Sequence, residues 1–269
     1  MKKMFALLLA GIMILSLAAC GAKEEAPAKE APGAGDVAYV KANGKLVVGI
    51  TDFAPMDYKA EGSEEWIGFD ADMAKLFAES LGVDVEFIEI NWDNKAMELE
   101  TKAIDVVWNG MTLTEEVKKL MGTAEPYCNN GQVVVVKADV ADKYQTEESL
   151  KDLSFAVENG SAGAEQLDAL GLEYTALQTQ ANALMEVAAG ASDACVIDLL
   201  MAGAMIGEGT SYPDLTYTVQ LNSEEYGVGF RIGSDLVEAF NAFWKKAYDA
   251  GTVMEVATTY GVQESIIAR

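Results

Sequence analysis

Apolar positions along this chain recur in two alternating rhythms. Lys45–Ile50 is a β-branched run, and residues 83–90 alternate with period two, so both read as strands. Between them Met73, Ala74, Leu76, Phe77 and Leu81 stand at helical spacing, which predicts a helix over 69–81. Residues 94–101 read as a helix and 104–108 as a strand. Thr114 then opens a short helix with Glu115 and Glu116 in its first turn, where acidic groups meet the positive end of the helix dipole. The pattern restarts at residues 132–136, an almost wholly apolar run expected of a buried strand. A strand at 155–157 leads to Gly160-Ser161-Ala162-Gly163, which opens a helix ending at Leu170. Residues 182–188 and 199–206 read as helices around a strand at 194–197. Strands at 216–221 and 226–231 precede closing helices at 235–250 and 253–260. Such alternation predicts the α/β class, with mostly parallel sheets covered by helices and two units of similar size.

Before this pattern the chain is different. Lys2 and Lys3 precede an apolar run over 4–17, too short to span a bilayer comfortably, which takes about 20 residues. The run ends in Leu17-Ala18-Ala19-Cys20, which matches the lipobox of bacterial lipoproteins. Residues 1–19 are therefore expected to be a signal peptide, and Cys20 the lipidated first residue of the mature chain. The stretch from Gly21 to about Asp36 is rich in Ala, Pro, Glu, Lys and Gly without apolar periodicity, and reads as a flexible tether. The expected location is the outer face of the cell membrane, on the periplasmic side in a Gram-negative cell.

Charge narrows the partners. Asp and Glu number 43 against 19 Lys and Arg, a formal net charge of −24, which opposes nucleic acid. The absence of His excludes His-centred zinc sites, Ser-His-Asp triads and Cys-His dyads, and no metal or cofactor is implied. Cys128 and Cys195 lie in strand-like contexts and read as small buried residues rather than a pair.

An ordered set of motifs carries a resemblance. Gly49 to Pro55 is followed by Gly68-Phe69-Asp70 heading a helix, Trp92, Ile104-Asp105, Asn109-Gly110-Met111-Thr112-Leu113-Thr114 and Glu125-Pro126-Tyr127. Val157-Glu158-Asn159-Gly160-Ser161, Gly190-Ala191-Ser192-Asp193-Ala194, Asp198 and Tyr226-Gly227-Val228-Gly229-Phe230 continue it. Over roughly residues 44–261 the chain resembles the family 3 extracellular solute-binding proteins of polar amino-acid ABC importers. The resemblance implies a type II periplasmic-binding-protein fold, two α/β lobes joined by two crossover strands with the ligand between them. On this chain lobe 1 would be 44–130 plus 223–269 and lobe 2 would be 131–222, with residues 20–43 as anchor and tether.

It also implies a cleft. A free amino acid is a zwitterion, so its burial needs donors for the carboxylate and acceptors for the ammonium. Ser161 heads a helix whose free N–H groups make a carboxylate seat. By resemblance Asp198 holds the ammonium, Phe53 stacks on the solute, and Trp92 and Trp108 flank it. Gly110 and Thr112 match positions whose carbonyl and hydroxyl touch the solute's charged groups. Asp70 is read as a helix cap and kept out of the site.

The departure is Val117, where the family pattern has an Arg that grips the carboxylate. The chain has only two Arg, Arg231 and Arg269, both remote in sequence. Backbone donors with Ser161, a reaching Lys, or a solute that is not an ordinary amino acid remain open. The expected function is a substrate-binding lipoprotein, monomeric and not an enzyme, that delivers a small polar solute to an ABC permease and its ATPase. A sensor or adhesion lipoprotein on the same fold is the alternative, and a cyclohexadienyl dehydratase-like enzyme a weaker one.

Overall fold

A computed structural model describes residues 35–269, so the lipobox, Cys20 and most of the expected tether lie outside the described residues. The first element is a helix, α1 (Asp36–Asn43). Here the structure corrects the division that left residues up to 43 in the tether. Val40 is fully buried, Asp36 pairs with Arg231 at 3.0 Å, and the Val37 N–H donates to Asp235 Oδ1 at 2.9 Å. These partners lie almost two hundred residues away, so no local pattern announced them.

The first lobe continues through β1 (Lys45–Ile50), a small hairpin of β2 (Tyr58–Lys59) and β3 (Trp66–Ile67), α2 (Phe69–Leu81) and β4 (Asp84–Glu89). A single 3-10 turn at Trp92–Asn94 leads into α3 (Lys95–Glu100), β5 (Val106–Thr112), α4 (Glu115–Leu120), β6 (Gly122–Thr123) and β7 (Cys128–Asn130). The second lobe holds β8 (Gln132–Lys137), β9 (Phe155–Glu158), α5 (Ala162–Leu170), β10 (Tyr174–Leu177), α6 (Gln180–Ala189), β11 (Ala194–Asp198), α7 (Leu199–Met205) and β12 (Leu215–Gln220). The chain then returns through β13 (Glu224–Phe230), α8 (Leu236–Asp249) and α9 (Thr252–Thr259).

Two main sheets result. One runs β4-β1-β5-β13-β6 with β7 paired to β13; the other runs β10-β9-β11-β8-β12. In each, the strands followed by helices pair in parallel, and the strand that enters or returns is antiparallel. The first sheet packs on α2 and α8 through an aromatic core, and α9 packs on those two helices. Trp108 lies 4.9 Å from Phe240 and 6.4 Å from both Phe77 and Tyr127, ring centre to ring centre. In the second sheet Val133 to Val136 are all fully buried, as the valine run required. Cys128 and Cys195 are free and buried, and burial pushes both thiols well above their usual pKa.

The two passages between lobes lie side by side. The Leu221 N–H donates to Gln132 O at 2.8 Å, and the Gln132 N–H to Asn222 Oδ1 at 2.7 Å. Gly131 sits in the tightest part. A Cβ there would meet Gln220 Nε2 at 2.5 Å and Asn222 O at 2.7 Å, so only glycine lets the strands pass. Among the described residues, no helix is long and apolar enough to cross a membrane.

Candidate functional site

Strand ends and helix starts of both lobes enclose a cleft of about 300 Å³. Ligands bind outside the carboxyl ends of strands in open α/β sheets, and β5, β9 and β11 all end here. Phe53, Trp92, Gly110, Thr112, Ser161 and Asp198 line it together, although they come from distant parts of the chain. Trp108 does not. It is fully buried among Phe77, Tyr127, Phe240 and Trp244 beneath the helices of the first lobe. Strand β5 is buried on both faces, so its sequence could not say which of its side chains meet the cleft.

In the first lobe, Phe53 closes a tight turn, its N–H donating to Asp57 O at 2.7 Å. Its ring meets the Tyr226 ring edge-on at 6.4 Å. Gly110, with φ +54°, passes directly beneath; a Cβ there would stand 2.4 Å from Phe53 Cε1. Asp70 fixes this backbone. It accepts the Gly110 N–H at 2.7 Å and the Tyr127 hydroxyl at 2.8 Å, and makes no capping bond. The reading of Asp70 as a cap is thus corrected: it positions the cleft floor from behind. Burial pushes its carboxyl up to about 7, partly offset by the Tyr127 and Gly110 donors. Thr112 donates its hydroxyl to Glu224 Oε1 at 2.9 Å.

In the second lobe, Ser161 caps α5, its hydroxyl accepting the Ala164 N–H at 3.2 Å. Asp198 lies at the centre of a network between the lobes. Its Oδ1 accepts from the Asn130 amide, from Gln132 Nε2 at 3.0 Å and from the Tyr226 hydroxyl at 2.6 Å, and its Oδ2 accepts from the Gln180 amide. Glu224 Oε1 shares the Asn130 and Gln132 amides at 2.7 and 2.8 Å. Burial and the nearby Glu224 push Asp198 up to about 7, against the pull of Tyr226, Gln180 and Gln132. Asn130, Gln132, Gln180 and Glu224 were missed from sequence. The polar pair Asn129-Asn130 and Gln132 breaking into a valine run was the available signal.

Among the other charged residues that line the cleft, Lys95 and Glu158 are the most deeply placed. Lys95, at the start of α3, donates to Trp92 O at 3.1 Å and, across the cleft, to Gly160 O at 3.0 Å. Its ammonium also lies 4.8 Å from the Trp92 ring centre. Burial pulls its pKa down, with Glu158 opposing. Glu158, at the end of β9, is 2% exposed, and its Oε1 has no hydrogen-bond partner. Burial and Asp198 push it up to about 8, with Lys95 and Gln180 pulling the other way. Val117 lines the cleft from α4, packed with Trp92, Met111 and Met121 in an apolar wall, whereas Lys118 and Lys119 point to solvent.

Residues 46–263 match the model of the bacterial extracellular solute-binding proteins, family 3. The chain is 30% identical over 260 residues to the arginine-binding extracellular protein ArtP of Bacillus subtilis, covering 93% of this chain and 94% of that one. It is 30% identical over 266 residues to the glutamine-binding protein GlnH of the same organism, covering 95% and 96%. Among solved structures, a mutant of ArgBP from T. maritima superposes with a TM-score of 0.78 at 31% identity, covering 84% of this chain and 98% of that one. Fold, two-lobed cleft and match over nearly all the described chain agree: this protein belongs to family 3 of the bacterial extracellular solute-binding proteins.

Proposed function

We propose that this protein captures an amino acid or amino-acid-like small polar solute in the interlobe cleft and delivers it to an ABC permease and its ATPase. The observation that carries the reading is the closed cleft itself: two lobes on paired crossings, latched by Lys95 onto Gly160. In this reading, residues 44–130 with 223–269 and residues 131–222 swing as two bodies around the crossings. Phe53 and Trp92 supply apolar faces. The α5 N-terminus at Ser161 seats the carboxylate. Lys95, bonded to Gly160 immediately before Ser161, adds the positive charge that Val117 lacks. Asp198 receives the ammonium with Gly110 and Thr112 beside it. The protein acts by binding rather than turnover, as a monomer held outside the cell membrane by a lipid on Cys20.

A thermal-shift screen of amino acids, amines and small carboxylates tests this. A solute at 100 times its dissociation constant adds about 2.7 kcal/mol of folded stability. A screen in which no such solute raises the melting temperature would remove the reading. Cys20→Ser should release the protein from membranes; a variant that stays bound would remove the anchor.

A further inference from the structure

Among the described residues, charge in the cleft does not balance. A zwitterion brings one carboxylate and one ammonium, each needing a single opposite partner. Lys95 and the α5 N-terminus answer the first, and Asp198 answers the second. Glu158 is then left over. Its side chain is buried, it lines the same cleft, and Oε1 accepts from nothing. Lys95 and Gln180 reach this carboxyl group, yet a buried oxygen that accepts from nothing is destabilising, and folded proteins rarely keep one unless a ligand completes it. Glu165 and Asp168 extend the negative charge along the same lobe, while among the described residues Lys95 is the single basic one lining the cleft. Val117, Met111 and Met121 form an apolar wall of the same cleft, against which methylene groups can pack.

We propose that the solute carries a second cationic group, an ammonium or guanidinium on an aliphatic stem, whose head seats on Glu158, so that the protein selects basic amino acids over neutral and acidic ones. This rests on the amino-acid reading above. The groups facing Glu158 are Asp198 from β11, Lys95 from α3 and Gln180 from α6. A cation arriving there favours the ionised carboxylate and releases the proton that burial retains.

The test is calorimetry on the purified protein with L-arginine, L-lysine, L-citrulline, L-norleucine, L-glutamate and agmatine. The expected result is that arginine or lysine binds at least about tenfold tighter than its neutral counterpart. Glu158→Gln, nearly isosteric, should remove that preference while leaving citrulline within about threefold of its wild-type affinity. Its thermal melt checks that the fold survives. Neutral amino acids binding as tightly as basic ones would overturn the cationic inference and leave the amino-acid reading intact. Equal weakening of citrulline and arginine in Glu158→Gln would also overturn it, because Glu158 would then hold the α-ammonium. Agmatine binding without any amino acid would uphold the cationic group and overturn the amino-acid reading.

Discussion

Closure can be obstructed with one methyl group. Gly160 has φ +66°, and a Cβ built on it would stand 2.6 Å from Asp93 Oδ1 and 2.9 Å from Asp93 Cα, across the cleft. A rotamer change can move the carboxylate but not the backbone atom. Gly160→Ala therefore carries two costs. The left-handed backbone costs an L-residue about 1 to 2 kcal/mol in the folded chain, open or closed. The clash costs about 1 to 3 kcal/mol more, and only when the lobes meet. Gly171 separates the two: its φ is +67°, and a Cβ there meets nothing within 4 Å. Gly171→Ala should lose the same stability as Gly160→Ala while binding solute normally. Gly160→Ala should bind about 5 to 100 times more weakly, the clash energy at 1.4 kcal/mol per decade. Urea unfolding of the two apo variants measures the shared cost, and calorimetry with the best-bound solute of the screen measures the difference. Small-angle scattering should show the radius of gyration falling on binding in Gly171→Ala but not in Gly160→Ala. Equal affinities in the two variants would refute the idea that binding requires this lobe-to-lobe approach.

Two further outcomes follow from the buried carboxylates. Asp198→Asn turns an amide hydrogen toward donors already supplied by Asn130, Gln132, Gln180 and Tyr226, and should weaken solute binding by about 2 to 5 kcal/mol. Asp193→Asn, on the surface beside Ser154, should change calorimetric affinity hardly at all, and equal losses would make Asp198 purely structural. Asp70, Glu158 and Asp198 all have pKa values raised by burial, to about 7, 8 and 7. The folded state thus holds protons that the unfolded state has released, and stability falls as pH rises from about 4 to 8. The solute-free protein should melt higher at pH 5 than at pH 8, and a melting temperature that climbs steadily over that range would contradict these assignments.

Local pattern was enough for much of the fold. Helix α2 spans the predicted 69–81, because its apolar stripe is unambiguous and Gly82 ends it in a left-handed turn. Thr114 and Ser161 cap the helices they were expected to open, since an N-cap bonds only three residues ahead. The valine run of β8 could only be a buried strand. Position and type of such elements depend on neighbours within a few residues, which the sequence displays directly. Strand β10 escaped because it is an edge strand, half exposed and paired only to β9, with little apolar signal. Helix α1 escaped because its anchors are Arg231 and Asp235 at the other end of the chain.

The cleft divides the same way. Phe53, Trp92, Gly110, Thr112, Ser161 and Asp198 were visible as residue types at meaningful places, and the folded chain gathers them. Which of them has free valence was not visible. Asp198 and Glu158 are both carboxylates at strand ends, yet one is surrounded by four donors and the other has an open oxygen. Trp108 turned inward because helices α2 and α8 cover its side of β5, a fact of topology rather than composition. Lys95 became the cleft's cation only when its lobe met Gly160, 65 residues further along. Hydrophobic period and capping chemistry act over a turn or a strand and can be read in one dimension. Donor counts, buried charge and contact across the cleft depend on which distant segments the sheets bring together, and exist only in three.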